Sequence, residues 1–104
     1  MEVIDGIKHP AYRHALSLTK PGERARTGLY LVETASFVRQ ALRSPSEIFS
    51  VFATSDEAAE MADLCETRGV PLYQVGSGLM NKLIGTGYEV AVTALCVARQ
   101  RILS

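Results

Sequence analysis

The chain has 104 residues, and 47% of them are apolar, which suits one domain with one core and excludes a disordered chain. Its 11 basic and 11 acidic residues cancel, which excludes nucleic-acid binding driven by net charge alone. The charges are uneven, because residues 1–45 hold seven Lys/Arg against four acids while residues 46–104 hold four against seven.

In chain order, the break at His9-Pro10 opens a first helix, proline being at home in the first helical position. Ala11, His14, Ala15 and Leu18 recur at helical spacing. Lys20-Pro21-Gly22-Glu23 stops that helix, and residues 24–27 read as a short basic loop. Gly28 leads into a buried strand, Leu29-Tyr30-Leu31-Val32. A helix over 35–43 follows, with Phe37, Val38, Ala41 and Leu42 inward and Thr34 or Ser36 as its cap. Residues 48–53 form the second strand. Thr54-Ser55-Asp56-Glu57 has the capping-box spacing. The helix it opens runs to Arg68, burying Ala58, Met61, Ala62 and Cys65 and turning Glu57, Glu60, Asp63 and Glu66 to water. Gly69 is its stop. Residues 71–75 read as a short strand whose leading proline marks an edge or a beginning. Residues 77–84 form a helix, 85–87 a flexible loop, and 90–97 the last strand.

The four strands start near residues 29, 48, 71 and 90. Each gap admits a crossover helix, so the expected fold is α/β, with a mostly parallel or mixed four-stranded sheet and helices on both faces. No apolar run reaches the ~18–20 residues of a membrane helix. The opening residues carry no signal-peptide pattern. Cys65 and Cys96 lack metal-ligand spacing and read as reduced interior thiols, which fits a cytoplasmic location.

Catalytic patterns are incomplete. His9 and His14 are five apart with no further ligand type beside them, so no metal site is expected. No base is oriented toward a serine or cysteine nucleophile. Gly76-Ser77-Gly78, between a strand and a helix, lacks both the third glycine of a dinucleotide loop and a following Gly-Lys-Ser/Thr. It reads as a tight turn, with a nucleotide pocket as the weaker alternative. Glu33 ends an apolar strand. It either accepts backbone N–H groups, pairs with Arg24, Arg26 or Arg39, or organises a binding surface with them. Arg24 and Arg26 are either solvated charges or forked contacts to phosphate oxygens. Lys82, Asn81 and the 85–87 loop form a second possible contact. Tyr30 and Tyr88 are candidates to stack on unpaired bases.

The run Arg24-x-Arg26-x-Gly28-Leu29-Tyr30-Leu31-Val32-Glu33, then Val38 and a helix ending near Leu42, resembles the N-terminal substrate-binding domain of SpoU/TrmH-type RNA 2′-O-ribose methyltransferases. The later strands, the helix over 77–84 and the Gly-Thr loop follow in the same order, and the resemblance spans residues 2–97. It implies a three-layer α/β/α sandwich like that of the ribosomal L30e/L7Ae proteins, with residues 1–98 as the domain and 99–104 as the start of a linker or tail. It also implies an accessory role: rRNA or tRNA is held here while a separate, knotted C-terminal domain, through which two copies could pair, binds S-adenosylmethionine and performs catalysis. No catalytic, cofactor or metal residue is expected in this chain. The RNA-binding residues implied are Lys20, Arg24, Arg26, Glu33, Arg39 and Lys82. Thr34 departs from the family pattern, which has glycine after the glutamate. The 87–89 stretch lacks the usual proline. The other reading is a stand-alone protein-interaction or dimerisation module, with an exposed apolar patch around Leu79, Leu83 or 90–95.

Overall fold

A computed structural model of the chain describes residues 1–84 and 91–99. The elements in order are β1 (Glu2–Ile4), α1 (Pro10–Ser17), α2 (Pro21–Thr27), β2 (Leu29–Glu33), α3 (Ala35–Arg43), β3 (Ile48–Ala53), α4 (Ser55–Arg68), β4 (Leu72–Val75), α5 (Ser77–Leu83) and β5 (Ala94–Arg99). The 85–87 loop, Tyr88, the expected strand start at 90 and the tail from 100 lie outside the described residues.

The five strands form one mixed sheet in the order β1-β4-β3-β5-β2. β1, β4 and β3 run parallel, and β5 is antiparallel to both β3 and β2. Side-chain alternation along β5 builds the layers. Ala94, Cys96 and Ala98 face α3 and α4, which supply Val38, Leu42 and Met61. Leu95 and Val97 face α1 and α5, which supply Tyr12, Leu18, Met80 and Leu83. The α/β/α sandwich with a mixed sheet is therefore the fold, but with five strands rather than four. The added strand, β1, has three residues of which Ile4 alone is buried, too little to show an alternation. β5 begins at Ala94, later than the sequence pattern implied, and Val92 is buried just ahead of it.

One extra residue in β3, between the pairs Ile48–Ala98 and Ser50–Val97, makes a β-bulge. It lets Ile48 and Val51, three apart, reach the same core. β4 lies between β1 and β3, so Pro71 marks the strand's beginning and not an edge; only its carbonyl is used, accepting from the Val51 N–H at 2.9 Å.

Four local expectations are corrected. The inward face of α1 is Tyr12, Ala15 and Leu18, with Tyr12 in the place of the half-buried Ala11, and His14 is exposed as its setting beside a helix face suggested. The 24–27 segment is helical: Pro21 both ends the α1 turn and starts α2, and Gly28 closes α2 at φ 71°. Phe37 is 58% exposed, because Val38 and Leu42, four apart, define the buried stripe of α3. The Thr54 side chain makes no capping bond, and Glu57 turns to Arg39 instead of returning to the cap.

Polar ties fix the outer elements. The Tyr12 hydroxyl donates to the Leu79 carbonyl at 2.7 Å, joining α1 to α5, and burial pushes its phenol above the ordinary value. His9 Nδ1 accepts from the Ala11 N–H at 3.1 Å, so Nε2 carries the proton shared with Glu2 Oε2 at 2.6 Å. That imidazole thereby caps α1 and holds β1. Cys65 and Cys96 are buried free thiols. Burial, then the neighbouring Cys65, pushes Cys96 up to about 12.

Candidate nucleic-acid interface

Neutralised cations separate from available ones. Arg26 Nη2 meets Glu23 Oε2 at 2.7 Å, and this pairing lowers the Glu23 carboxyl and raises the guanidinium. Arg39 is held by Glu57 and, at 3.1 Å, by Glu60, both on α4. Arg99 pairs with Glu47 at 2.9 Å and lies over the Phe49 ring. Arg68 donates to the Leu42 carbonyl and, at 2.8 and 2.7 Å, to those of Ser44 and Ser46. Among the described residues, Lys8, Arg13, Lys20, Arg24, Arg43 and Lys82 are exposed and outside any ion pair. Five of these six lie on α1, α2, α5 or the connections around them.

The structure thus brings together part of the expected set. Lys20 caps α2, and Arg24 and Arg26 sit in its last turn. Lys82 is in the last turn of α5, which packs on α1. Arg39 belongs to the opposite layer and faces α4. Glu33 ends β2, half-buried and opposite Leu95; two of the arginines expected beside it, Arg26 and Arg39, are held by other acids. Tyr30 packs against the α3/α4 core, so its ring serves packing.

A groove of about 510 Å³ runs between the β1–α1 connection, the outer face of α1 and the α1–α2 junction. Lys8, Arg13 and Lys20 line it with Ile7, Leu16, Ser17 and Thr19, and no acid does. Lys8 and Arg13 were not among the expected site residues. For Arg13 the signal was in the sequence: Arg13, Leu16, Ser17 and Lys20 recur at helical offsets on the face opposite Tyr12, Ala15 and Leu18.

The β2–α3 corner is strained. Thr34 has φ 85° and ψ 143°, a conformation that suits glycine. Its N–H donates to Ala94 at 3.0 Å and its carbonyl accepts from Val38 at 3.0 Å, but its hydroxyl is buried without a partner. A backbone that suits glycine thus carries a threonine side chain.

A second cavity, of about 670 Å³, opens at the C-terminal ends of β1, β3 and β4, beside Thr54, Ser55, Gly76 and Ser77. Asp5 is the one charged residue lining it. A carboxylate there opposes phosphate, and no base stands beside Ser55 or Ser77 in the lining. The apolar patch that would favour an interaction module does not form among the described residues: Leu83 and Leu95 are buried and Leu79 is half-buried. The large exposed apolar residues Met1, Val3, Ile7 and Phe37 are divided between the N-terminal segment and α3. No described helix is long and apolar enough to cross a membrane.

Comparison with known proteins matches residues 1–103 to the family model described as "Thiostrepton-resistance methylase, N terminus". The fold is similar to that of an AdoMet-bound rRNA methyltransferase from Sinorhizobium meliloti, with TM-score 0.75 and 17% identity over 96% of this chain and 37% of the other. An RNA 2′-O ribose methyltransferase gives TM-score 0.70 and 16% identity, covering 95% of this chain and 38% of that one. The SpoU methyltransferase AviRb from Streptomyces viridochromogenes, in complex with AdoMet, gives 0.63 and 16%, covering 91% and 37%. The chain thus spans little more than a third of the length of these structures. A search of curated protein sequences found no match.

Proposed function

The chain belongs to the family of N-terminal domains of thiostrepton-resistance methylases, of the SpoU type, and from that premise we propose that it holds structured RNA, rRNA or tRNA, for a 2′-O-ribose methyltransferase. Catalysis and S-adenosylmethionine binding belong in this reading to a C-terminal domain, through which two copies could pair in the cytoplasm. The observation that carries it is the gathering of unpaired cations on α1, α2 and α5 of a chain without net charge.

Arg24 supplies a forked donor for phosphate oxygens, and Lys20 and Lys82 supply point charges. Such contacts give affinity and register more than base discrimination. Arg26 extends this surface with its charge shared with Glu23. Arg39 and Glu33 act behind it, Arg39 by tying α3 to α4 and Glu33 at the end of β2.

The test is titration of structured rRNA and tRNA fragments with the chain and with its Arg24→Ala/Lys82→Ala variant, over a salt series. Affinity should fall with salt, and the variant should bind more weakly, its log–log slope shallower by about 0.7–0.9 for each phosphate left without its cation. Equal affinity of the two proteins for every RNA would overturn the reading. An interaction module without RNA has less to support it, since Leu83 and Leu95 are buried and Leu79 is half-buried.

A further inference from the structure

We propose that the groove beside α1 receives one unstacked nucleotide together with its flanking phosphates, so that the RNA held is a looped or single-stranded segment rather than a continuous duplex. This rests on the RNA reading above and names the kind of RNA.

The lining decides the point. A duplex offers its exterior: phosphates, riboses and the edges of stacked bases. Lys8, Arg13 and Lys20 would suit that exterior, but Ile7 and Leu16 would not. Ile7 is 49% exposed, a large apolar side chain with water on it beside three cations. An unstacked base presents a flat face whose burial against Ile7 and Leu16 removes apolar surface from water. The phosphates on either side of that base then fall among the three cations, none of which is in an ion pair among the described residues.

The hydroxyls agree with this occupant. Ser17 Oγ donates to the His14 carbonyl at 2.6 Å, and Thr19 Oγ1 donates to the Leu16 carbonyl at 2.7 Å. Each has given up its one proton, so toward a ligand it accepts. A ribose 2′-hydroxyl or a base amino group can donate to such an oxygen, and a phosphate oxygen cannot. The groove therefore offers positive charge for phosphate, apolar surface for a base face, and acceptors for the donors of a nucleoside. Its volume of about 510 Å³ lies within the range typical of small-ligand pockets.

The experiment compares a hairpin RNA carrying an unpaired loop with the same stem closed into a continuous duplex, at one salt concentration and then over a salt series. The proteins are the chain, its Ile7→Ser variant and its Arg13→Ala variant, each checked for an unchanged thermal transition. The loop RNA should bind about tenfold more tightly than the duplex, about the worth of burying one base face against Ile7 and Leu16. Ile7→Ser should weaken loop binding about 4- to 15-fold, as expected for the loss of one or two buried methylenes, with duplex affinity and salt slope unchanged. Arg13→Ala should weaken both RNAs and reduce the slope. Equal affinity for loop and duplex, or an Ile7→Ser variant that binds the loop like wild type, overturns the inference. If Arg24→Ala/Lys82→Ala still weakens binding in that case, the RNA reading stands while the groove falls. If neither RNA nor any rRNA or tRNA fragment binds, both fall.

Discussion

The helices on the two sides of the sheet handle charge in opposite ways. α3 and α4 carry Asp56, Glu57, Glu60, Asp63 and Glu66 against Arg39, Arg43 and Arg68. Two of those three arginines are engaged inside the layer: Arg39 bridges to α4, and Arg68 reaches back to the carbonyls that end α3. Around α1, α2 and α5 stand Lys8, Arg13, Lys20, Arg24, Arg26 and Lys82, and Glu23 neutralises Arg26 alone. A net charge of zero thus conceals a molecule with one acid-rich face, where two of three arginines are engaged, and one face of mostly unpaired cations. Folding, not composition, separates the two.

The contrast can be broken first at Arg68. Its guanidinium satisfies carbonyls that the end of α3 leaves without helical partners. Arg68→Ala should lower stability by about 3 kcal/mol, the cost of removing several charge-assisted hydrogen bonds together. Urea unfolding measures this, and a decrease below about 1 kcal/mol would make Arg68 an ordinary surface cation. RNA affinity should not change.

Next comes the strain at the start of α3. Thr34→Gly relieves a positive φ and removes a buried hydroxyl that has no partner. Stability should rise by about 1–2 kcal/mol after the added chain entropy of glycine is subtracted. Thr34→Ala, which keeps the strain, should gain less. A Thr34→Gly variant less stable than wild type would show that the threonine methyl contributes more packing than the strain costs.

The thiols under α4 give an effect of about 1 kcal/mol. The folded chain holds the Cys96 thiol up at about 12 because burial disfavours the thiolate; an unfolded cysteine ionises near 8.5. The unfolded state therefore loses its proton first, so this stability is complete below about pH 8 and declines as pH rises toward 12. The decline should be about 1 kcal/mol between pH 8 and 9.5. Cys96→Ala, less stable overall, should show a smaller decline in alkaline urea titrations, the remainder coming from the Cys65 thiol, which burial also raises.

How much of this was readable beforehand depends on where each signal resides. β2, α3, β3 and α4 announce themselves through apolar periodicity because each buries a face. α2 buries no residue, so it has no stripe to read, and its Pro-Gly start looks like a turn. β1 is a strand only because β4 offers it a partner, and the antiparallel sense of β5 is tertiary information. The cations were visible as a first-half excess, but not their pairing. Glu23 lies three residues before Arg26, a local pair that spacing alone shows. The partners of Arg39 lie on another helix, one of them 21 residues away, and no spacing rule reaches them. The helical offsets place Arg13 with Lys20 on one face, but the groove that adds Lys8 is tertiary, completed by the chain segments on either side of α1.

The smallest effect separates the two faces most directly. Arg39 is 30% exposed, and Glu57, one of its two partners, only 14%. Arg39→Ala leaves Glu57 half-wrapped without its cation, so stability should fall by about 1 kcal/mol, at the upper end for partly exposed pairs. High salt should reduce that effect. Arg24 has no such partner and sits in an exposed helical turn, where alanine is the better helix former. Arg24→Ala should therefore change stability by less than about 0.5 kcal/mol in either direction. Thermal unfolding of the two variants side by side, at low and high salt, reads the difference. If Arg24→Ala destabilises as much as Arg39→Ala, Arg24 has a structural partner, and the basic face is held for the fold rather than left open for phosphate.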